Sequence, residues 1–249
     1  MLISSASEPA PGGPANEDVV LVGAGFVVVL DGATAPAGVP TGCVHDVAWL
    51  AGRLGERLAA VLTERPGLEL REVLRTGIER LCALHEGSCD LANPDSPSAT
   101  VAMVRLHDGR LDHLVLADSP VLVQGRDGEP EVTLDDRVER LPAYDLASVR
   151  RLRNAPGGFW VAGTRPEAAD RALTGSHSVE RVERFAVLTD GVSRLVERYG
   201  WSWWRLLDTL DAEGPERVVR AVRAEERADP PGRYRGKRHD DATVAFGRP

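Results

Sequence analysis

Acidic residues stand at the ends of apolar runs in several parts of the sequence. Phe26–Leu30 is a run of five apolar residues that ends at Asp31-Gly32, and residues 185–188 lead through Thr189 to Asp190-Gly191. The other acidic positions of this kind are Glu17, Asp18, Asp118, Asp240 and Asp241. If antiparallel strands align these ends, the carboxylates share one rim, repel one another, and some must take up protons at neutral pH. A multivalent cation would resolve that conflict.

The predicted ligands are all oxygen atoms, because no His or Cys occurs at the matching positions. Oxygen-only sites favour hard ions, so we expect Mg²⁺ or Mn²⁺ rather than zinc. Two such ions, roughly 3.5 to 4 Å apart, can hold and activate a bridging water for attack on a phosphoryl centre. The carboxylate pattern therefore indicates phosphate chemistry.

Strands and amphipathic helices must position these carboxylates. Apolar runs predict strands over residues 19–22, 25–30, 100–106, 111–117, 121–124, 132–134, 159–162, 182–188 and 242–246. Helical spacing predicts helices over residues 45–64, 69–90, 144–153, 167–173, 192–199, 203–210 and 215–227. Asp108-Gly109 and Asp127-Gly128 have the spacing of tight hairpin turns, so we interpret both pairs as structural. Two long helices in succession indicate a helical layer packed on a sheet.

Composition narrows the class of protein. The 249 residues are 43% hydrophobic, which suffices for a sizeable core. Residues 1–15 are rich in Pro, Ala, Ser and Gly, and we expect a flexible segment there that is not a secretory signal. No apolar run is long enough to span a membrane, and a net charge of -8 argues against nucleic acid as the main partner. We therefore expect a cytoplasmic protein.

The three cysteines, Cys43, Cys82 and Cys89, have no C-x-x-C spacing. An odd number of cysteines without this spacing argues against both a disulfide framework and a zinc ribbon, so we expect free thiols in a reducing cytosol. His45 and His85 fall with Cys89 on or near predicted helices without compact ligand spacing. Ordinary roles on a helix face are the favoured interpretation over a metal site.

The ordered set of acidic motifs resembles the metal-dependent protein phosphatases of the PPM, or protein phosphatase 2C, family. The matching segments are Asn16-Glu17-Asp18, Asp31-Gly32, Ser98-Ala99-Thr100, Ala117-Asp118-Ser119, Thr189-Asp190-Gly191 and Asp240-Asp241-Ala242-Thr243-Val244. The resemblance implies an α+β fold, a four-layer α-β-β-α sandwich with two central antiparallel sheets flanked by helices. It also implies that residues 16–249 form a single phosphatase-like domain of a divergent, bacterial-type member.

The resemblance further implies roles for the acidic residues. Asp31 would bridge two Mg²⁺ or Mn²⁺ ions, Asp190 and Asp240 would hold one of them, and these three would be the catalytic residues. The Gly32 carbonyl and the acidic pair before the first strand would assist at the other ion, and Asp118 would match a further, weaker metal site. Water would be the nucleophile, without a covalent phosphoenzyme. The implied metal ligands are therefore Glu17, Asp18, Asp31, Gly32, Asp118, Asp190 and Asp240.

The sequence departs from the family pattern at several positions. The arginine that usually precedes the acidic pair and clamps substrate phosphate is missing, because residues 11–15 read P-G-G-P-A. Residues 33–36 replace the usual glycine pair, Ala117 replaces a glycine, and Arg194 stands where many members place another Asp. We hypothesise that Lys237 or Arg238, in the basic loop beside Asp240, replaces the missing clamp; the competing interpretation is an ordinary solvated loop.

Three functions stay open at this point. The first is a Mg²⁺/Mn²⁺-dependent phosphatase that hydrolyses a phosphate monoester, with phosphoserine or phosphothreonine in a protein as the expected substrate. The second is a phosphatase for a small phosphorylated metabolite, which the missing arginine favours. The third is a catalytically weak regulatory or binding protein of the same fold. We expect neither nucleic acid nor a membrane as a partner of any of them.

Overall fold

The structure is a computed structural model that describes residues 1–13, 15–33, 35, 38–85, 87–126, 128–230, 232–234 and 237–249. Sequence features that involve Pro14, Thr34, Pro36, Asp127 and Arg235 lie outside the described residues.

Strands and helices alternate in blocks along the described chain. The strands are β1 (Leu2–Glu8), β2 (Val19–Gly23), β3 (Phe26–Leu30), β4 (Gly32–Ala33), β5 (Ser98–Ala99), β6 (Val101–His107), β7 (Arg110–Leu116), β8 (Val121–Gly125), β9 (Glu131–Thr133), β10 (Leu173–Ser178), β11 (Val182–Leu188) and β12 (Ala242–Arg248). The α-helices are α1 (Val47–Glu64), α2 (Leu70–His85), α3 (Leu146–Leu152), α4 (Asp190–Glu197), α5 (Trp203–Glu213) and α6 (Pro215–Ala228). Short 3-10 helices cover Pro166–Arg171 and Val179–Arg181. Within the described residues, none of these helices has the length and apolar character needed to cross a membrane.

Two antiparallel sheets form the centre of the fold. One has five strands in the order β1-β12-β11-β8-β9, and the other has five in the order β10-β7-β6-β3-β2. Helices α1 and α2 pack on the outer face of the second sheet, and α4, α5 and α6 pack on the outer face of the first. A third apolar core lies between the sheets. This is the predicted four-layer α-β-β-α sandwich, so the predicted fold class is confirmed.

The unbroken apolar runs of β3 and β11 follow from burial on both faces. Successive side chains of a strand point to opposite faces. In β3, Val28 and Leu30 pack beneath α1 and α2, whereas Val27 and Val29 face the opposite sheet. In β11, Phe185 and its alternating neighbour face the core between the sheets, and the intervening residues pack beneath the other helices. Neither face meets water over Phe26–Leu30 or over residues 185–188, so these two runs contain no polar side chain.

The N-terminal segment differs from its prediction. Residues 1–15 are predicted to be flexible, but β1 pairs with β12 along its whole length, from Leu2 opposite Arg248 to Glu8 opposite Ala242. The Pro and Gly residues that carry the prediction begin only at Pro9, whereas residues 2–8 read L-I-S-S-A-S-E and contain neither Pro nor Gly. The composition averaged over residues 1–15 conceals this strand. Whether residues 16–249 act as one domain stays a prediction.

Several element boundaries also differ from the predictions. Residues 159–162, predicted as a strand, make only isolated bridges, Ala162 with Ala99 and Phe159 with Arg153. The predicted helix over residues 167–173 is a 3-10 helix followed by β10, an edge strand whose polar sequence, L-T-G-S-H-S, gives no apolar alternation. Helix α2 ends at His85 rather than near residue 90, and this earlier end brings the segment after it back toward the start of α1.

Candidate active site

Strand pairing places the predicted acidic residues at one edge of the sandwich. The end of β3 is paired with the start of β2, because Leu30 lies opposite Val19, and the end of β7 is paired with the start of β6. In the other sheet, the end of β11 is paired with the start of β12, because Leu188 lies opposite Val244. These strand ends carry the residues that we call the carboxylate rim: Glu17, Asp18, Asp31, Asp118, Asp190 and Asp240.

Hydrogen bonds join the two sheets at the carboxylate rim. The Thr189 hydroxyl donates to Asp18 Oδ2 at 2.8 Å, and the backbone N–H of Glu17 donates to Asp241 Oδ2 at 2.6 Å. Asp241 Oδ1 accepts the backbone N–H of Ala10 at 2.7 Å. Asp241 is therefore occupied in holding the N-terminal chain. Burial and the charge of Asp190 raise the pKa of the neighbouring Asp240, and the charge of Asp240 in turn contributes to the raised pKa of Asp31.

Glycine follows Asp31 and Asp190 because another chain segment passes too close to each glycine for a side chain. A Cβ at Gly191 would lie 1.8 Å from the Asp241 carbonyl oxygen, and one at Gly32 would lie 2.9 Å from the Glu17 carbonyl oxygen. The pair Asp108-Gly109 is different, because φ is 46° and 69° at the two residues and nothing lies within 4 Å of a Cβ at the glycine. That geometry confirms the predicted hairpin turn there and separates it from the rim pairs.

A small hydroxyl network fixes the backbone at Asp31. The Asp31 N–H donates to Thr100 Oγ1 at 3.1 Å, and the Thr100 N–H donates to the Asp31 carbonyl at 2.9 Å. The Thr100 and Ser119 hydroxyls are 2.6 Å apart. Ala117, just before Asp118, has φ at 68°, a conformation that favours glycine. The motifs around Thr100 and Ser119 therefore position carboxylates, and one of them does so with a strained backbone.

Burial and mutual repulsion raise the pKa values of the rim carboxyls. Burial raises the pKa of Asp18 to about 8, with hydrogen bonds from Thr243 and Thr189 opposing the shift and the charge of Asp190 adding to it. Burial and the charge of Asp190 raise the pKa of Asp118 to about 7. For Asp31, burial and four neighbouring carboxylates raise the pKa well above its ordinary value. The rim therefore carries more negative charge than its buried surroundings stabilise, and added positive charge would stabilise the ionised carboxylates.

Two carboxylate oxygens of the rim lack the partners that burial requires. Asp18 Oδ1 and Asp190 Oδ1 are buried without a hydrogen-bond partner in the described part of the chain. A buried, unpaired polar atom costs free energy, and carboxylate oxygens are the donors that Mg²⁺ and Mn²⁺ prefer. A divalent cation would satisfy these oxygens and offset the repulsion. The residues present therefore fit a divalent-cation centre, although the role of each predicted ligand stays a prediction.

Arg194 supplies one fixed positive charge at the rim. Its guanidinium is 1% exposed and donates to Asp240 Oδ2 and to Glu226 Oε1, both at 2.9 Å. Glu226 is fully buried and also accepts from Arg223 at 2.8 Å and from the backbone N–H of Asp240 at 3.3 Å. Sequence reasoning marks Arg194 as a departure from the family pattern but misses Glu226, which stands in an ordinary charged stretch of α6.

The two residues proposed as a replacement phosphate clamp have different surroundings. Lys237 is exposed and lies 3.4 Å from Asp240 Oδ1. Burial alone would lower the pKa of Lys237, but Asp240, Glu17 and Asp31 outweigh it and raise the pKa. Arg238 instead donates to the backbone carbonyls of Glu226 and Arg227 at the end of α6, at 3.2 and 3.1 Å. Only Lys237 of this pair has its charge directed at the rim.

The family assignment follows from comparison with known proteins. A family model described as protein phosphatase 2C matches residues 16–223, and the chain belongs to this family of metal-dependent protein phosphatases. No curated protein matches the sequence. The assignment agrees with the two-sheet fold and with the acidic rim described above.

Solved structures share the fold over nearly the full chain. The PPM Ser-Thr phosphatase MsPP from Mycobacterium smegmatis, in complex with cacodylate, is 18% identical with a TM-score of 0.62 and covers 99% of this chain and 97% of its own. The catalytic domain of PstP, in complex with 2 manganese ions, is 19% identical with a TM-score of 0.63 and coverages of 98% and 96%. Serine/threonine phosphatase Stp1 from Staphylococcus aureus is 12% identical with a TM-score of 0.67 and coverages of 98% and 93%.

Proposed function

We propose that the chain is a cytoplasmic phosphatase that uses two Mg²⁺ or Mn²⁺ ions to hydrolyse phosphoserine or phosphothreonine in proteins. Its family membership supports protein phosphatase activity. The observation that carries the metal assignment is the carboxylate rim, with its raised pKa values and its two unpaired buried oxygens. When bound, such ions supply positive charge and activate a water for attack on phosphorus.

In this proposal the position of each rim residue determines which metal ion it would bind. Asp31 lies centrally, because the charges of Asp18, Asp190, Asp240 and Asp118 all act on it, and it would contact both ions. Asp190 and Asp240 would hold one ion together with Asp31. The Gly32 carbonyl and the acidic pair before β2 would face the other ion, and Asp118 would serve a third, weaker position.

Basic side chains would bind the phosphate group of the substrate. Lys237 would contact the phosphate, because it is exposed and lies at the edge of the rim. A lysine presents a single point charge rather than the planar fork of an arginine. The phosphate would therefore be held with less directional control than a bidentate arginine gives.

A second function, a catalytically weak regulatory or binding protein, is favoured by one observation. Arg194 already neutralises Asp240 at 2.9 Å in a buried position. A resident guanidinium competes with a cation for the same carboxylate oxygens, so the ion held by Asp190 and Asp240 would bind weakly. This alternative predicts Mn²⁺ binding without turnover, or no Mn²⁺ binding.

Phosphate release with and without Mn²⁺ tests the proposal. Wild type should hydrolyse an aryl phosphate only with Mn²⁺, and should act faster on phosphoserine or phosphothreonine peptides than on sugar or nucleotide phosphates. Asp31→Asn should lower the rate at least about 10³-fold, because the ions contribute several kcal/mol and each 1.36 kcal/mol is tenfold.

Asp108→Asn provides the matched control, because it changes the aspartate of a structural Asp-Gly turn. The residue has φ at 46°, which asparagine adopts readily, so activity should be unchanged. Higher rates on small phosphates would redirect the proposal to a metabolite phosphatase. Absence of turnover on every ester, with calorimetry showing weak or no Mn²⁺ binding, would contradict the proposal and support the regulatory alternative.

A further inference from the structure

Two cysteines and two histidines meet in a group that shares no residue with the carboxylate rim. The ligand atoms of Cys43, His45, His85 and Cys89 all lie within 4.8 Å of one another. The sequence places His45, His85 and Cys89 on or near helices without compact ligand spacing and favours ordinary helix-face roles; the fold nevertheless brings their ligand atoms together. We call these four residues the Cys-His cluster.

The hairpin of α1 and α2 explains why the four residues meet. Cys43 and His45 precede α1, whose first turn is capped by Asp46 accepting the Trp49 N–H at 2.8 Å. His85 ends α2 and Cys89 follows in the next turn. Because the helices are long, consecutive and packed together, the start of α1 lies beside the end of α2. Two short motifs, C-x-H and H-x-x-x-C, are thereby brought face to face.

Three sulfur-to-nitrogen distances in the cluster match the edges of a tetrahedral metal site. Cys43 Sγ lies 3.6 Å from His45 Nδ1 and 3.5 Å from His85 Nδ1, and Cys89 Sγ lies 3.5 Å from His45 Nδ1. Zinc bonds of about 2.3 Å to sulfur and about 2.0 to 2.1 Å to nitrogen give tetrahedral S···N edges of about 3.5 Å. The two sulfurs are 3.2 Å apart, somewhat closer than the roughly 3.8 Å edge of such a site.

The surroundings of the cluster hold the ligands in place. His85 is 2% exposed, its Nδ1 faces sulfur, and its Nε2 has no hydrogen-bond partner among the described residues. The His45 ring stacks on Trp49 with centroids 3.8 Å apart. The backbone N–H of His45 donates to Cys43 Sγ at 3.4 Å, and the Ser88 hydroxyl lies 3.5 Å from Cys89 Sγ. The ring stacking and the contacts from the backbone N–H and the hydroxyl to sulfur are outer contacts that orient metal ligands and stabilise thiolates.

We propose that Cys43, His45, His85 and Cys89 bind one Zn²⁺ ion in a structural site. Thiolate and imidazole ligands select zinc over Mg²⁺ and Mn²⁺. Four protein ligands fill a tetrahedral shell and leave no open position for a substrate. Binding displaces the two thiol protons to solvent, so the two thiolates balance the charge of the ion.

The ion would fasten the chain segment before α1 to the turn after α2. Hydrogen bonds already join these segments, because Asp90 N–H donates to the Gly42 carbonyl at 2.8 Å and Asn93 Nδ2 donates to the Pro40 carbonyl at 3.2 Å. The first of the fastened segments connects β4, which contains Gly32, to α1. Zinc therefore secures the segment that follows the rim without contributing to the reaction itself.

Metal content of the purified full chain tests the zinc site. Protein prepared with a reductant and passed through metal-free buffer should retain about one equivalent of zinc. Cys43→Ser and Cys89→Ser should lose it. Cys82→Ser is the matched control, because Cys82 lies on α2 outside the cluster and contacts the Thr164 carbonyl at 3.6 Å. Asp31→Asn should also retain its zinc, which excludes binding at the carboxylate rim.

Cobalt substitution of wild type decides the matter even if the cysteine variants fail to fold. Co²⁺ at the cluster should give sulfur-to-cobalt charge-transfer bands and the intense visible bands of tetrahedral coordination, and zinc should displace it. Wild type that holds no zinc and gives only the weak bands of octahedral Co²⁺ would overturn the proposal. So would a disulfide between Cys43 and Cys89 that re-forms in the presence of zinc after reduction.

Discussion

The carboxylate rim takes its six residues from five separate chain segments at the strand ends of both sheets, whereas the Cys-His cluster takes its four from the two ends of one helical hairpin. The rim is fixed by other contacts: backbone N–H groups bind Asp241, a hydroxyl binds Asp18, and Arg194 and Glu226 hold Asp240. In the cluster, the closest polar contacts of the side chains are largely with one another. In our proposals, the protein scaffold alone would preorganise the carboxylate rim for a hard ion, whereas zinc would add to the few outer contacts that orient the ligands of the Cys-His cluster.

Removal of the buried negative charge of Glu226 should have the largest effect on stability. It should also affect the carboxylate rim without affecting the Cys-His cluster. Glu226→Gln leaves Arg194 and Arg223 without their shared carboxylate, so we expect the free energy of unfolding to fall by about 3 to 5 kcal/mol in urea titrations. Zinc content should stay unchanged, because the cluster lies on the other helical layer.

Glu213→Gln is the control for that experiment. Glu213 pairs with Arg217 at 3.2 Å, but the two side chains are 56% and 41% exposed, so the loss should be at most about 0.5 kcal/mol. Equal losses for the two glutamate variants would show that the rim is not held by buried charge. Loss of zinc from Glu226→Gln would show that the regions are coupled.

The pH dependence of stability should sharpen the contrast between the two sites. Without metal, the pKa of Asp18 rises from 3.8 to about 8 on folding, so across this interval the folded chain binds a proton that the unfolded chain has lost. Stability from this group is full below about pH 4 and is lost as the pH rises through about 8. Manganese binds the ionised carboxylates of the folded state, so its stabilising effect should grow with pH.

Thermal melts at about pH 5 and about pH 8 measure this dependence. The melting temperature without added Mn²⁺ should fall by several degrees between these values, and Mn²⁺ should recover most of the loss at the higher pH. Zinc-loaded Asp31→Asn should gain much less from Mn²⁺. A larger Mn²⁺ effect at the lower pH would contradict the assignment of the rim carboxyls as cation ligands.

The smallest effect is expected at the edge of the rim. Lys237→Ala removes an exposed cation beside Asp240, so KM for a phosphopeptide should rise about threefold to tenfold with little change in kcat. Arg238→Ala is the matched variant, because Arg238 binds backbone carbonyls of α6, and its KM should be unchanged. A higher KM for Arg238→Ala but not for Lys237→Ala would place the phosphate contact at Arg238. An unchanged KM in both variants would show that the loop is an ordinary solvated one.

Local patterns in the sequence predict the strands that end at the rim and a helical layer on a sheet, whereas the four-layer sandwich is predicted from the family resemblance. A strand buried on both faces gives an unbroken apolar run, as in Phe26–Leu30, and its end is marked by the first polar residue, Asp31. The backbone of Glu17 then passes so close to residue 32 that only glycine fits there, and the resulting Asp-Gly pair can be recognised in the sequence. The same pairing of pattern and packing recurs at Asp190 and Gly191, so the two halves of the rim could be predicted without a structure.

The parts that could not be predicted depend on contacts between distant segments. Glu226 is buried beneath the rim, but neither its type nor its position distinguishes it from the adjacent Glu225. The C-x-H and H-x-x-x-C motifs become one cluster only when α1 and α2 fold back on each other. Strand β1 is stabilised by pairing with β12 at the far end of the chain, which no local window reveals.

The most direct test of two metal sites with different chemistry is anomalous diffraction from crystals of zinc-loaded protein soaked in Mn²⁺, recorded at the absorption edges of both metals. We expect manganese signal between Asp31, Asp190 and Asp240, and one zinc signal surrounded by the four residues of the Cys-His cluster. Zinc at the rim with an empty cluster, or no manganese signal near Asp31, would contradict the account.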